Sequence, residues 1–109
     1  MGLDMYVFRE DQAEDGEPLC YWRKHPNLHG FIVQTFAAGV DECQRIYLDD
    51  AKVETILRAT LEDKLPITQG FFFGVSRPED KLDTIKQLGR LVDEMRKHPD
   101  SKFYYRSSW

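Results

Sequence analysis

The chain has 109 residues, which is near the commonest length of a single domain and gives room for one hydrophobic core, so we expect one domain over residues 1–109. Apolar residues make up 41% and charged residues 31% of the sequence, a composition that predicts a folded protein and excludes a disordered one. The net charge of −4 argues against general nucleic-acid binding, and the lack of a long apolar run argues against a membrane span, so we expect a cytoplasmic protein.

The N-terminal third of the chain predicts a strand, a loop and a helix. Apolar and polar side chains alternate over residues 3–8, which is the period of a β-strand. Residues 11–18 are rich in acids and contain a glycine, which is typical of an exposed loop. Asn27 is placed to cap a helix that ends near Gly39. Apolar side chains four residues apart line one face of this helix, namely Leu28, Ile32 and Phe36.

A second strand, a second helix and an aromatic segment follow. Residues 45–48 predict a short strand, and Asp49 or Asp50 caps the next helix, which closes near Pro66. The apolar stripe of this helix consists of Val53, Ile56, Leu57 and Leu61. Residues 70–75, with the sequence GFFFGV, form an aromatic run between glycines. The run predicts a strand that is buried on both faces, and its shortness also allows a packed loop.

The C-terminal third predicts the longest helix and a last strand. Ser76 and Glu79 have the spacing of a capping box at the helix start, and Pro99 ends the helix. The apolar face of this helix consists of Leu82, Ile85, Leu88, Leu91, Val92 and Met95. Residues 102–109 then predict a terminal strand.

These elements predict an α+β fold in the order βαβαβαβ. Helices that alternate with strands pack most simply on one face of a small sheet, which gives a four-stranded sheet covered by three helices. A long helix joins the third and fourth predicted strands, so these two are expected to be parallel if adjacent. We therefore predict a mixed sheet.

Catalytic templates with a known mechanism are absent from the sequence, which favours a binding protein over an enzyme. His25 and His29 are four residues apart, but Pro26 suits the first helical position and keeps the two histidines from sharing a helix face. Cys20 and Cys43 are too far apart for a CxxC redox or metal pair. We expect no cofactor, no bound metal and no disulfide.

The strongest candidate site lies before and within the first helix. It consists of Tyr21, Trp22, Arg23, Lys24 and His29. Basic side chains near a helix N-terminus do not favour the helix dipole, so local helix stability does not explain them. Arg23 and Lys24 can hold a phosphate or carboxylate while Trp22 or Tyr21 offers a stacking surface. In the competing structural interpretation Trp22 anchors the core and the two bases pair with acids such as Asp4 or Glu42.

The C-terminal tail is a second cluster of aromatic and polar side chains. Strand alternation sends Phe103 and Tyr105 to one side and Tyr104 and Arg106 to the other. If the two terminal strands pair, Tyr104 and Arg106 can meet Asp4. Such a contact is either a structural salt bridge or the polar floor of a pocket.

Four segments in this order resemble a small family of bacteriophage, prophage and bacterial proteins: MGLDMY, YWRK with a His five residues later, GFFFG and FYYRSSW. Members of that family sometimes carry the label phosphoglycerate kinase, which neither this length nor a phosphate motif supports. Two features depart from the family pattern. Phe31 stands where relatives commonly have Trp, and VSRPEDK follows GFFFG where relatives often have a tyrosine-rich acidic stretch. The resemblance implies a phage-like context and a shared fold, and it implies no activity.

Two functional hypotheses follow from the sequence. In the first, a small phage- or prophage-type accessory protein of the bacterial cytosol binds a macromolecular partner, as an inhibitor of a host protein or as a homodimer, because Tyr, Trp and Arg favour interface cores. In the second, a nucleotide or other phosphorylated ligand is bound or turned over in one pocket. That pocket would be formed by Asp4, Tyr21, Trp22, Arg23, Lys24, His29 and Arg106. Nucleic acid is the least favoured partner because the chain is acidic.

Overall fold

Four strands and three helices are present in the residues that the computed structural model describes, which are 2–70 and 73–109. In chain order they are β1 Asp4–Arg9, β2 Cys20–Arg23, α1 Pro26–Phe36, β3 Ile46–Leu48, α2 Asp50–Leu61, α3 Pro78–Lys97 and β4 Phe103–Ser108. The predicted α+β class is confirmed, but the order is ββαβααβ and not βαβαβαβ. None of the helices in these residues combines the length and the apolar character that crossing a membrane requires.

The four strands form one sheet in the order β2-β1-β4-β3, and every neighbouring pair is antiparallel. The predicted mixed sheet with a parallel pair is therefore wrong. The two terminal strands, β1 and β4, lie side by side in the middle of the sheet, with Asp4 opposite Ser108 and Arg9 opposite Phe103. The expected pairing of the terminal strands is confirmed.

Two segments account for the difference in strand order. Residues 20–23 form β2, whose side chains alternate between buried and exposed and which pairs with residues 4–7 of β1. The expected strand at residues 70–75 is absent from the described part of that segment. There the Phe73 N–H donates to the Gly70 carbonyl at 3.1 Å, and Gly74 has a φ of 75°. Phe71 and Phe72 lie outside the described residues.

The starts of α1 and α2 are fixed by different means. Asp49 caps α2 as predicted, because its side chain accepts a hydrogen bond of 2.8 Å from the Lys52 N–H. At α1 the cap residue is His25, with Pro26 at the first helical position. Asn27 lies inside the helix, so the predicted Asn27 cap is wrong.

The start of α3 lies one residue later than the predicted capping box. Arg77 is the cap residue, and its N–H donates to the Asp80 carboxylate at 2.6 Å. The predicted pair of Ser76 and Glu79 is therefore wrong by one position. Leu82, predicted on the apolar face of this helix, is exposed.

All three helices pack on one face of the sheet, which we call the inner face. From α1, the His29 ring contacts the Tyr105 hydroxyl, and from α3, Thr84 accepts a hydrogen bond from the Trp22 indole. The strand side chains in this layer are Met5, Val7, Cys20, Trp22, Ile46, Leu48, Phe103 and Tyr105. Each large apolar side chain buried in this layer contributes about 1.5–3 kcal/mol relative to exposure, so the layer is the main source of stability.

Candidate functional site

The other side of the sheet, the outer face, carries five aromatic side chains that cross all four strands. In spatial order this aromatic row consists of Tyr21, Tyr6, Phe8, Tyr104 and Tyr47. Neighbouring ring centroids are 5.3 to 5.9 Å apart, the spacing of packed aromatic rings. Phe8 and Tyr104 in the middle are buried, whereas Tyr21 and Tyr47 at the ends are 43% and 41% exposed. The two ends of the row are therefore accessible.

The acidic loop between β1 and β2 covers the middle of the aromatic row. The Glu14 carboxylate accepts hydrogen bonds from the Tyr104 hydroxyl, from Arg106 and from Arg45. The hydrogen bond from Tyr104, together with the two arginines, lowers the pKa of Glu14. Burial and the neighbouring Glu14 raise the pKa of Tyr104 to about 12. Arg106 thus pairs with Glu14, and its predicted contact with Asp4 is wrong.

Three of the predicted site residues meet at the β2 end of the row. Asp4 Oδ1 accepts hydrogen bonds from the Tyr21 hydroxyl at 2.7 Å and from Arg23 Nη1 at 3.0 Å. The bond to Asp4 raises the pKa of Tyr21, so the phenol remains a hydrogen-bond donor. The Arg23 side chain is 51% exposed, so solvent screens its ion pair with Asp4 and the pair contributes little to stability. The main consequence of this cluster is the polar surface that it presents.

Two other residues of the predicted site support the fold. Trp22 points to the inner face, is 3% exposed and donates from Nε1 to Thr84 Oγ1 at 3.0 Å. It is therefore a core anchor, as the structural interpretation of the sequence held. Lys24 adopts a left-handed backbone with a φ of 55°, and its side chain lies close to Gly74, where an added Cβ would be 3.1 Å from it.

His29 lies on the inner side of the sheet in a buried hydrogen-bond network. Its Nδ1 is 2.6 Å from the Tyr105 hydroxyl and its Nε2 is 2.9 Å from Asp41 Oδ2. The Trp109 indole donates to the other Asp41 oxygen at 3.1 Å. Burial raises the pKa of Tyr105 well above 10, so its hydroxyl keeps its proton and can donate to Nδ1 in the tautomer whose Nε2–H donates to Asp41. The network ties α1, β4 and the C-terminal residue together.

The predicted site is thus divided by the sheet. The outer face holds Asp4, Tyr21 and Arg23 together, and the inner side holds Trp22 and His29. Arg106 is also on the outer face but is paired with Glu14. Groups on opposite faces of a sheet cannot contact one small ligand at the same time.

A groove of about 600 Å³ adjoins the outer-face cluster along the edge of β2. The predicted site included only Tyr21 of the eight residues that line this groove. It missed the other seven, which are Tyr6, Glu17, Pro18, Leu19, Gln87, Arg90 and Glu94. The placement of Tyr6 was detectable, because it stands two residues after Asp4 on one strand and therefore on the same face. We call the cluster and its groove the Tyr6–Tyr21 surface, which consists of Asp4, Tyr6, Glu17, Pro18, Leu19, Tyr21, Arg23, Gln87, Arg90 and Glu94.

A second buried histidine was not part of the predicted site. His25 Nδ1 is 2.6 Å from Ser76 Oγ, and that oxygen accepts a bond of 3.1 Å from the Asn27 N–H inside α1. Ser76 therefore satisfies a backbone donor of the helix start that His25, the cap residue, leaves open. Within residues 2–70 and 73–109, no group of three or more His, Cys, Asp or Glu side chains is arranged to hold a metal ion.

No family model, no curated protein and no solved structure matches this chain. The resemblance to phage and prophage proteins therefore stays a prediction that rests on four sequence segments. A function has to be inferred from the geometry of the molecule.

Proposed function

We propose that this chain is a small accessory protein of phage or prophage type that acts in the bacterial cytosol by binding a host protein. Binding occurs at the Tyr6–Tyr21 surface and inhibits the host protein by obstructing a surface that it uses. The four sequence segments shared with phage and prophage proteins support the context. The outer face of the sheet supports the mode of action.

The observation that carries this proposal is the accessible end of the aromatic row beside a half-exposed arginine. Tyr21 is 43% exposed and packs on Tyr6 with ring centroids 5.3 Å apart, which holds both rings in place before any partner arrives. Arg23 is held in position by Asp4 at 3.0 Å. Tyr and Arg are enriched among residues that dominate binding energy at protein interfaces. Their fixed positions reduce the side-chain entropy that binding removes.

A phosphorylated small ligand at the YWRK segment and His29 has weaker support. Arg23 lies on the outer face, whereas His29 is 1% exposed and has both ring nitrogens engaged on the inner side. A ligand that reached both would have to pass through the sheet. The division of these residues favours a protein partner.

The experiment compares three forms of the tagged protein as baits in a lysate of the bacterial host. They are the wild type, a Tyr21→Ala, Arg23→Ala double variant, and a control double variant, Leu61→Ala, Arg58→Ala. The control matches the test variant because Leu61 is also exposed and Arg58 is also an exposed, ion-paired arginine. Thermal unfolding first establishes that all three are folded.

The expected result is a host protein retained by the wild type and the control, with a purified affinity at least tenfold weaker for the test variant. Truncating a binding hot spot costs about 2 kcal/mol or more, which corresponds to a loss of that size. Equal retention by all three baits, or no specific protein on the wild type, would contradict the proposal.

A further inference from the structure

The two edge strands of the sheet, β2 and β3, differ in how their outward-pointing backbone groups are hydrogen-bonded. At the β2 edge, the Gln87 side chain makes two hydrogen bonds to the backbone of Tyr21. Its Oε1 accepts from the Tyr21 N–H at 2.7 Å, and its Nε2 donates to the Tyr21 carbonyl at 2.7 Å. This amide makes the contacts that a neighbouring strand would make, so the β2 edge is closed to a further strand.

The β3 edge has a backbone pair that points outward. Just before β4, the Lys102 carbonyl accepts from the N–H of Glu10, the residue that follows β1, at 2.8 Å. Because backbone groups alternate in direction along a strand, the N–H and C=O of Tyr104, two residues further on, also face β1. Tyr47 is opposite Tyr104 and is therefore a position whose N–H and C=O point away from the sheet. The carbonyl accepts one bond of 3.0 Å from Lys52 Nζ, a side chain that is long and flexible.

The sequence around Tyr47 is self-complementary when two copies pair as antiparallel strands. Residues 45–49 read RIYLD. If a second copy lies antiparallel with a two-fold axis at Tyr47, then Arg45 faces Asp49 of the second copy, and Ile46 faces Leu48 of the second copy. Asp49 has extended backbone, with a φ of −124° and a ψ of −178°, so the strand direction continues through it. Within its own chain Arg45 pairs with Glu14, and Asp49 accepts from the Lys52 N–H through Oδ1, but both residues are exposed. Opposite charges that face each other across an antiparallel pair favour that register.

We propose that the β3 edge binds a second copy of this chain, so that two four-stranded sheets join into one sheet of eight strands. The N–H of each Tyr47 donates to the carbonyl of Tyr47 in the other copy, replacing the Lys52 bond. Such a two-fold contact is isologous, which is the commonest symmetry of homo-oligomers. Charged side chains, Lys above all, protect sheet edges from pairing, so Lys52 weakens the dimer and keeps it reversible.

The proposed dimer has a geometric consequence for binding. The Tyr6–Tyr21 surface lies at the β2 end of each sheet, and β3 is at the opposite end. Joining two β3 edges therefore places two Tyr6–Tyr21 surfaces at the far ends of the continuous sheet. Such a dimer presents two identical binding surfaces and raises the avidity for a partner that is itself dimeric.

The test measures molar mass by sedimentation over micromolar to millimolar concentrations, for the wild type, three test variants and one control variant. Tyr47→Pro removes the outward N–H, Lys52→Ala removes the side chain that competes for the carbonyl, and Asp49→Asn removes the charge but keeps a good helix cap. Tyr47→Thr is the control, because it loses the ring and retains the N–H. We expect a wild-type dimer that weakens at least tenfold in Tyr47→Pro and strengthens in Lys52→Ala. Asp49→Asn should weaken it roughly threefold to tenfold, since two exposed ion pairs are lost.

Amide hydrogen exchange of the wild type tests the proposed contact between the two β3 edges even if Tyr47→Pro fails to fold. The Tyr47 amide is expected to exchange quickly in dilute solution and to become protected as the concentration rises. A wild type that stays monomeric at millimolar concentration would overturn the proposal. So would a dimer in which Tyr47 stays unprotected, or one that Tyr47→Pro leaves unchanged while folded. These results are independent of the host-protein proposal, which is measured by capture of a different partner at the other end of the sheet.

Discussion

His25 is the residue at which burial and charge conflict most clearly. It is 4% exposed, and its Nε2 has no hydrogen-bond partner among the residues that the structure describes. Burial lowers the pKa of His25, while Asp80 and Asp83 act in the opposite direction and Arg77 adds to the lowering. The nearest of these carboxylates, Asp80, is 4.0 Å from Nδ1, too far for a hydrogen bond. Protonation of this ring is therefore unfavourable in the folded state.

The lowered pKa of His25 makes stability depend on pH. An unfolded histidine has a pKa near 6.5, so below that pH the unfolded chain binds a proton that the folded chain resists. The free energy of unfolding should be unaffected above about pH 7 and should fall as the pH decreases from about 6.5 towards the folded pKa. Urea unfolding between about pH 7.5 and 5.5 measures this slope. We expect a smaller slope in His25→Gln than in the wild type, and His98→Gln, whose ring is 40% exposed, is the control for the substitution itself.

Equal slopes in the wild type and His25→Gln would show that another group controls the pH dependence. Glu14 and Asp11 are not expected to interfere, because their pKa values are lowered by hydrogen bonds from Tyr104 and Arg9, and they titrate in more acidic solution.

At the level of elements, α1 and α3 each contain one glycine, and the two glycines differ in how closely other residues pack against them. A Cβ added at Gly30 in α1 would lie 2.0 Å from Thr68 Oγ1, on a segment whose Thr68 N–H is itself bonded to Asn27. A Cβ added at Gly89 in α3 would meet nothing within 4 Å. The first glycine is required by close packing, and the second lies in an open helical position.

Gly89→Ala should therefore stabilise the protein by about 0.5–1 kcal/mol, because alanine restricts the unfolded chain and favours the helix. Gly30→Ala should destabilise it by about 1–3 kcal/mol, because the new methyl group displaces Thr68 from α1. Denaturant unfolding of the two variants under identical conditions measures both changes. A neutral or stabilising Gly30→Ala would mean that the segment at Thr68 adjusts without cost.

The helices were more predictable from the sequence than the strands. All three helices have apolar side chains at helical spacing over 11 to 20 residues, so their positions followed from the pattern. β2 has only four residues, and its alternation over CYWR is too short to separate from the approach to α1. The aromatic run at residues 70–75 has strand composition, but Gly74 within it has a φ of 75°, a conformation that glycine allows and that a regular strand does not contain.

At the level of the whole molecule, the strand order decided which predicted site residues meet. Tyr21, Trp22 and Arg23 are consecutive in the sequence. Because β2 pairs with β1, Tyr21 and Arg23 contact Asp4, whereas Trp22 lies in the core. Arg106 is on the same face as Asp4, but it pairs with Glu14, which the acidic loop between β1 and β2 places beside it. Such long-range pairing depends on register and loop placement, which local patterns do not encode.

The two cysteines give a measure of how the whole molecule unfolds. Cys20 lies on β2 against α3, is 1% exposed and has its Sγ 3.6 Å from the Gln87 carbonyl. Burial raises the pKa of Cys20 to about 12. The thiolate is the nucleophile that attacks a thiol reagent and must be exposed to do so, so Cys20 can react only when the sheet and helix layers separate. Cys43 is partly exposed in the segment before β3 and needs no such opening.

Single-thiol variants separate the two rates. With Cys43→Ser, modification of Cys20 should be slow in native buffer, and its dependence on urea should match the global unfolding curve measured by circular dichroism. With Cys20→Ala, modification of Cys43 should be fast and nearly independent of urea below the transition. If Cys20 reacted with a much weaker urea dependence than global unfolding, β2 would be opening from β1 and α3 by itself. The Tyr6–Tyr21 surface, which β2 carries, would then be formed and lost in the native state, and its affinity for a partner would be reduced by the fraction of open molecules.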